Sequence, residues 1–246
     1  MPVKHNATVP IKRTVPSTLK VLQKMDNPKG NPLLAAIKQF ADNPQKLQES
    51  LEKLLNEGQE KVCEYLLDIM AMYNKNTAKH MKGVARIAAK FIKEKGEKIG
   101  LNAQEKKVTI IAARIHDFGK RFTPLKFLTK PGKLTPMQKK SVDKHALRTK
   151  QFLEQSGLIK DEFFKTAADL AEKHHTSVDK LNMTKKRTIE EEILELSDVF
   201  SALTMKRDYK RPMPPKEALK LMQETQEKES LWNPNIFKEF KDCYGK

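Results

Sequence analysis

Apolar residues recur at intervals of three and four along almost the whole chain, and the two-residue alternation of a half-buried strand is rare. Leu47, Leu51, Leu54 and Leu55 form one such stripe; Val84, Ile87, Ala88 and Phe91 form another. A pattern of that period sits on one face of a helix and would scatter over both faces of a sheet. Composition agrees. Glycine occurs only 9 times in 246 residues, and Lys, Glu, Leu, Ala and Gln, all good helix formers, dominate. The chain is expected to be all-α.

Punctuation residues divide it. Residues 1–30 carry prolines and scattered Lys and Arg with little apolar periodicity, and are expected to form a basic, flexible extension. Asn31-Pro32 reads as a helix start. Asp42-Asn43-Pro44 ends that helix and caps a second, and a third runs from about Glu57 to Tyr73. Residues 31–75 therefore supply N-terminal helices of unassigned role, either a separate unit or an outer layer of the main domain. From 76 to 246 amphipathic helices succeed one another. One spans Asn76–Lys95, and another runs from Asn102 into His116-Asp117. A third opens at Thr135-Pro136 and carries His145; a fourth covers about Asp161 to His175. A fifth, Glu190–Met205, carries Asp198, and further helices come after Pro215.

Charge bounds the partners. The net charge is +17, and charged residues make up 32% of the chain. Such a surface attracts phosphates. The basic residues are spread rather than blocked, aromatics are only 7%, and there is no helix-turn-helix or stacking motif, so nucleic acid is disfavoured as the partner. No apolar stretch has the length of a signal peptide, and Val108–Ile115 is too short to cross a bilayer. Two cysteines, far apart at Cys63 and Cys243, suggest a reducing compartment. These features predict a cytoplasmic protein with no membrane partner.

Five of the six histidines, His80, His116, His145, His174 and His175, fall in the helical region, and one precedes Asp117 directly. Imidazole nitrogens and carboxylate oxygens suit Fe, Mn, Zn and similar divalent ions. Neighbours on a helix project about 100° apart, so a His-Asp pair can serve two adjacent metals, one residue as a terminal ligand and the other as a bridge. Any one of these histidines alone reads as a structural residue. Their number and order carry the argument.

His116-Asp117-Phe118-Gly119-Lys120 resembles the HDxGK signature of the HD phosphohydrolase superfamily. The downstream series is similar to the HD-GYP branch, the bacterial cyclic-dinucleotide phosphodiesterases. That series comprises Lys130-Pro-Gly-Lys-Leu134, His145, His174-His175, Asp198-Val-Phe-Ser-Ala-Leu-Thr204 and Arg207-Asp-Tyr-Lys210. Lys79-His80-Met-Lys-Gly-Val84 resembles the start of that family's first core helix. The likeness runs from about Asn76 to Met222.

The resemblance implies an HD-domain helical bundle over 76–246 and hydrolysis of a cyclic dinucleotide, cyclic di-GMP or a relative, at a dinuclear site. It implies metal ligands at His80, His116, Asp117, His145, His174, His175 and Asp198, with Asp117 bridging two divalent transition metals. Fe or Mn is expected, with Zn, Ni or Co as substitutes. It further implies that Lys120 acts beside Asp117 on a phosphate or leaving group, and that Arg207 and Lys210 hold the substrate phosphate. Two departures qualify this. The family's HHExxDGxGYP element reads His174-His175-Thr176-Ser177-Val178-Asp179-Lys180-Leu181-Asn182-Met183, without its acidic residue or its Gly-Tyr-Pro. Where some members place a ligand for a third metal stands Asn76, so two metals are expected. The altered element leaves open an HD hydrolase of another nucleotide, or a catalytically decayed dinucleotide- or protein-binding module. A homodimer or a signalling protein remains open as a partner. Because the ligands must be neutral His and ionised Asp, activity is expected to fall below about pH 6.

Overall fold

A computed structural model describes residues 44–175, 187–206 and 211–245. The extension at 1–30, the helix expected from Asn31, the altered Thr176–Met183 element, Arg207 and Lys210 lie outside the described residues.

Among the described residues there are helices and turns and no strand. The helices are α1 (Pro44–Asn56), α2 (Gln59–Tyr73), α3 (Lys75–Lys95), α4 (Ala103–Ile115), α5 (Leu125–Leu128), α6 (Pro136–Asp143), α7 (His145–Gln155), α8 (Glu162–Lys173), α9 (Ile189–Thr204), α10 (Pro215–Glu229) and α11 (Pro234–Tyr244). A 3-10 turn, Phe118–Phe122, comes after α4, and another, Leu158–Lys160, precedes α8. Local chemistry sets the ends. Asn74 caps α3, its side chain accepting from Thr77 N at 2.8 Å. Asn102 and Glu105 close a reciprocal capping box on α4, as Thr188 and Glu191 do on α9. Gly100 supplies the left-handed φ of 87° between α3 and α4 that a side-chain-bearing residue adopts only at a cost.

α3, α4, α8 and α9 form the centre. α4 packs on α3 and α8, α9 packs on α3, and α7 packs on α8 and on the first 3-10 turn. Leu66, Met70, Met81, Phe91, Ile115, Phe164, Ile193 and Leu194 are fully buried in one continuous core. That core also takes in Leu51 of α1 and Val62 and Cys63 of α2. At the other end Phe240 of α11 stacks on Phe91 at 5.2 Å and on Phe200 at 5.6 Å, tying the last helix to α3 and α9.

One expectation is corrected. The helix opening at Thr135-Pro136 does not run through His145: it ends at Asp143, Lys144 turns (ψ −4°), and His145 begins a helix of its own. The break frees the His145 side chain from the face of α6. α5 and α6 themselves contribute no buried residue and lie on the surface, with Met137 82% exposed.

Candidate metal centre

The segments that carry the predicted histidines and aspartates meet at one point. His80 lies in the second turn of α3 and Asp198 in the middle of α9. His116-Asp117 stands just past the end of α4, His145 is the first residue of α7, and His174-His175 stands just past α8. The last three segments present their residues from helix termini, where a side chain can turn inward without leaving a helical face. His116, Asp117, His145 and His174 are all but inaccessible to water.

The donors separate into two groups, each within 4.8 Å: Asp117, His145, His174 and His175 in one, and His80, His116 and Asp198 in the other. Asp117 belongs to both sides. Its Oδ1 lies 3.1 Å from His145 Nε2 and 3.9 Å from His174 Nε2. Its Oδ2 lies 3.6 Å from His116 Nε2 and 3.7 Å from His80 Nε2. Lys120, one 3-10 turn on, donates from Nζ to Oδ2 at 2.6 Å.

Backbone carbonyls set the tautomers. His116, His145 and His174 each donate from Nδ1 to the carbonyl three residues earlier, at Ala113 (2.9 Å), Val142 (2.7 Å) and Ala171 (2.5 Å). A neutral imidazole that donates from Nδ1 has a lone pair on Nε2. Those lone pairs face the centre, and His145 Nε2 and His174 Nε2 approach to 3.3 Å. With a lone pair on each, two nitrogens at that distance suit a cation held between them. His116 Nε2 and Asp117 Oδ1 are buried and have no hydrogen-bond partner, which is costly for a polar atom away from water. The donor set, the tautomers and these two buried atoms fit divalent metal ions, and the site is of the kind that binds them.

Electrostatics keep the donors in the ligating state. Burial lowers the pKa of His116 and takes that of His174 well below the usual range, so both are neutral. His175 is also lowered, to about 4, by loss of hydration and then by His145. It stands at the open edge of the cluster, its ring 3.9 Å from that of His174. Burial alone would raise Asp117, but the Lys120 ammonium beside it leads the effects that hold the carboxyl well below its ordinary value. For Asp198 burial is likewise overcome, chiefly by the hydrogen bond from His80 Nε2 at 2.7 Å.

Two residues that the sequence did not single out hold this geometry. Thr149, buried in α7, accepts from Gly119 N at 2.8 Å and donates to the His116 carbonyl at 2.9 Å, sewing the His-Asp turn to the helix of His145. The approach is so close that a Cβ at Gly119 would lie 1.9 Å from the His145 carbonyl oxygen. The glycine of the HDxGK signature is thus required by contact with α7. Ser201, three residues after Asp198 on the same face of α9, seats the other nitrogen of His80, Oγ to Nδ1 at 3.1 Å. Spacing hinted at both, Thr149 four after His145 and Ser201 three after Asp198, yet neither residue type is diagnostic.

A helical bundle with histidine and aspartate converging from these segments defines the class: the chain belongs to the HD domain family, whose model matches residues 64–231. Among curated proteins it is similar to 3'3'-cGAMP-specific phosphodiesterase 3 of Vibrio cholerae, 35% identical over 118 residues, which cover 46% of this chain and 25% of that protein. It is also similar to the cyclic di-GMP phosphodiesterase of Thermotoga maritima, 28% identical over 204 residues, covering 79% of this chain and 52% of that one. The chain thus spans about a quarter to a half of the length of these relatives. The fold is shared with the HD domain of the phosphodiesterase PgpH of L. monocytogenes, solved in complex with cyclic-di-AMP. There the TM-score is 0.54 at 20% identity, over 73% of this chain and 92% of that one.

Proposed function

We propose that this chain is a metal-dependent phosphodiesterase that opens a cyclic dinucleotide by hydrolysis at a dinuclear centre. The observation that carries the reading is the division of labour at Asp117, one carboxylate oxygen toward His145 and His174 and the other toward His116 and His80. On this reading His145, His174 and His175 would hold one metal and His80, His116 and Asp198 the other, with Asp117 shared between them; His80 Nε2 would give up to the metal the place it now uses to donate to Asp198. Iron or manganese suits the mixed imidazole and carboxylate donors.

Bound in this way, paired divalent metals supply a water of lowered pKa and Lewis-acid contacts to phosphoryl oxygens. The chain's own residues do the rest. Asp117 and Asp198 remain anionic, so the centre can hold two dications near a phosphate without a large uncompensated charge. Lys120 Nζ, resting on Asp117 Oδ2, offsets charge that develops on the phosphoryl oxygens or protonates the departing ribose oxygen. Arg207 and Lys210 are assigned to the substrate phosphate by their match to the family pattern. Water adds to phosphorus, one P–O bond to ribose breaks, and a linear dinucleotide results. We assign this chemistry to 76–246, in a cytoplasmic setting that suits the two free, buried thiols Cys63 and Cys243.

A second reading, an HD hydrolase of another nucleotide, is favoured by the altered Thr176–Met183 element. Anaerobic purification with metal quantification, then turnover of a panel of cyclic, linear and mononucleotides, separates the two. About two metals per chain and preference for a cyclic dinucleotide are expected. His116→Ala and Asp117→Ala should lose metal and at least about a hundredfold in turnover. Full metal and full turnover in both variants would sink the assignment.

A further inference from the structure

Beside the His80 half of the centre the surface opens into a pocket of about 260 Å³. Its lining mixes two chemistries. Lys120, Asp117 and Asn76, the last in the first turn of α3, are polar. Phe127 and Leu128 of α5, Leu134 of the loop and Val142 of α6 are apolar. All four are half-buried, and none belongs to the hydrophobic core or to the partly buried side chains packed against it. Four apolar side chains that serve no core but share a pocket with a catalytic-site aspartate and lysine have the form of a ligand wall.

We propose that this pocket is a nucleoside monophosphate subsite, in which one base of the substrate packs on Phe127 between Leu134 and Val142 while its phosphate reaches Lys120. The proposal rests on the functional reading above and adds where a base is held. Size supports a single unit. Pockets for drug-sized ligands run from roughly 300 to roughly 1,000 Å³, so 260 Å³ suits one nucleoside phosphate better than a whole cyclic dinucleotide. Every base presents a π face to an aromatic ring, so Phe127 recognises a base as such.

The test compares binding of guanosine and adenosine 5′-monophosphate with that of ribose 5-phosphate, which has the phosphate and no base, by calorimetry on the metal-loaded protein. The wild-type protein should prefer the nucleotides by roughly ten- to a hundredfold, the size of a base–aromatic stack. Phe127→Ala should erase that preference, and Phe127→Tyr should restore it. Melting temperature and metal content confirm that each variant is folded, which the position of Phe127 outside the core predicts. A preference that survives in Phe127→Ala, or a wild-type protein with no preference, overturns the subsite, whether or not a cyclic dinucleotide is hydrolysed. Conversely, a preference that depends on Phe127 in a protein that cleaves no dinucleotide upholds the subsite and defeats the hydrolytic reading.

Discussion

Burial holds His116, His174 and His175 neutral, and that has a consequence for pH. His116, His174 and His175 have pKa values below the ordinary 6.5 because burial removes water from the charged ring. In the unfolded chain the same rings take up protons as pH drops below about 6.5. The unfolded state then binds more protons than the folded one, so stability is complete above that pH and is lost as pH falls toward the folded values, about 4 for His175. Asp117 and Asp198 are held low enough to stay ionised through this window. Metal-free protein should therefore show a melting temperature that is level near pH 8 and declines from about pH 6.5 to pH 5. A flat or rising melting temperature there would contradict the buried, neutral state. Metal retention should fall in the same direction, since protons compete for the same Nε2 atoms.

Among the elements, the join between the α4 turn and α7 matters most to the site. Thr149 satisfies two buried backbone groups at once, Gly119 N–H and the His116 carbonyl, and in doing so fixes Asp117 relative to His145. Thr149→Val keeps the shape but strands both groups, and an unsatisfied buried group costs about 1–3 kcal/mol. Urea unfolding of the metal-free variant should show a loss of that order, and metal affinity should drop about tenfold as the two halves separate. A variant as stable as the wild type would show that the join is dispensable. α5 and α6 stand at the opposite extreme. With no buried residue they bear little on stability, which leaves their apolar side chains available for substrate.

Over the whole molecule, the charge of +17 surrounds a centre whose own aspartates are offset by Lys120 and, when loaded, by metal. On the proposed function, an anionic dinucleotide would be drawn by a long-range field that salt weakens. Between about 0.1 M and about 1 M salt the screening length shrinks from roughly 10 to roughly 3 Å. KM for a cyclic dinucleotide should rise several-fold over that range with little change in kcat. A salt-independent KM would confine recognition to contacts inside the pocket.

Local physics was legible in the chain as written. Apolar spacing and the caps at Asn102 and Thr135 act within four residues, so the starts of their helices are read directly from sequence. The order of His116, Asp117, His145, His174 and Asp198 named the donors. Packing decided the rest. Only the meeting of α3 with α9 sets His80 against Asp198, 118 residues away. Only the turn at Lys144 aims His145 at Asp117, and only backbone carbonyls buried by neighbouring helices choose the nitrogen that faces a metal. A donor's type is a property of its residue, but its direction belongs to the fold that surrounds it.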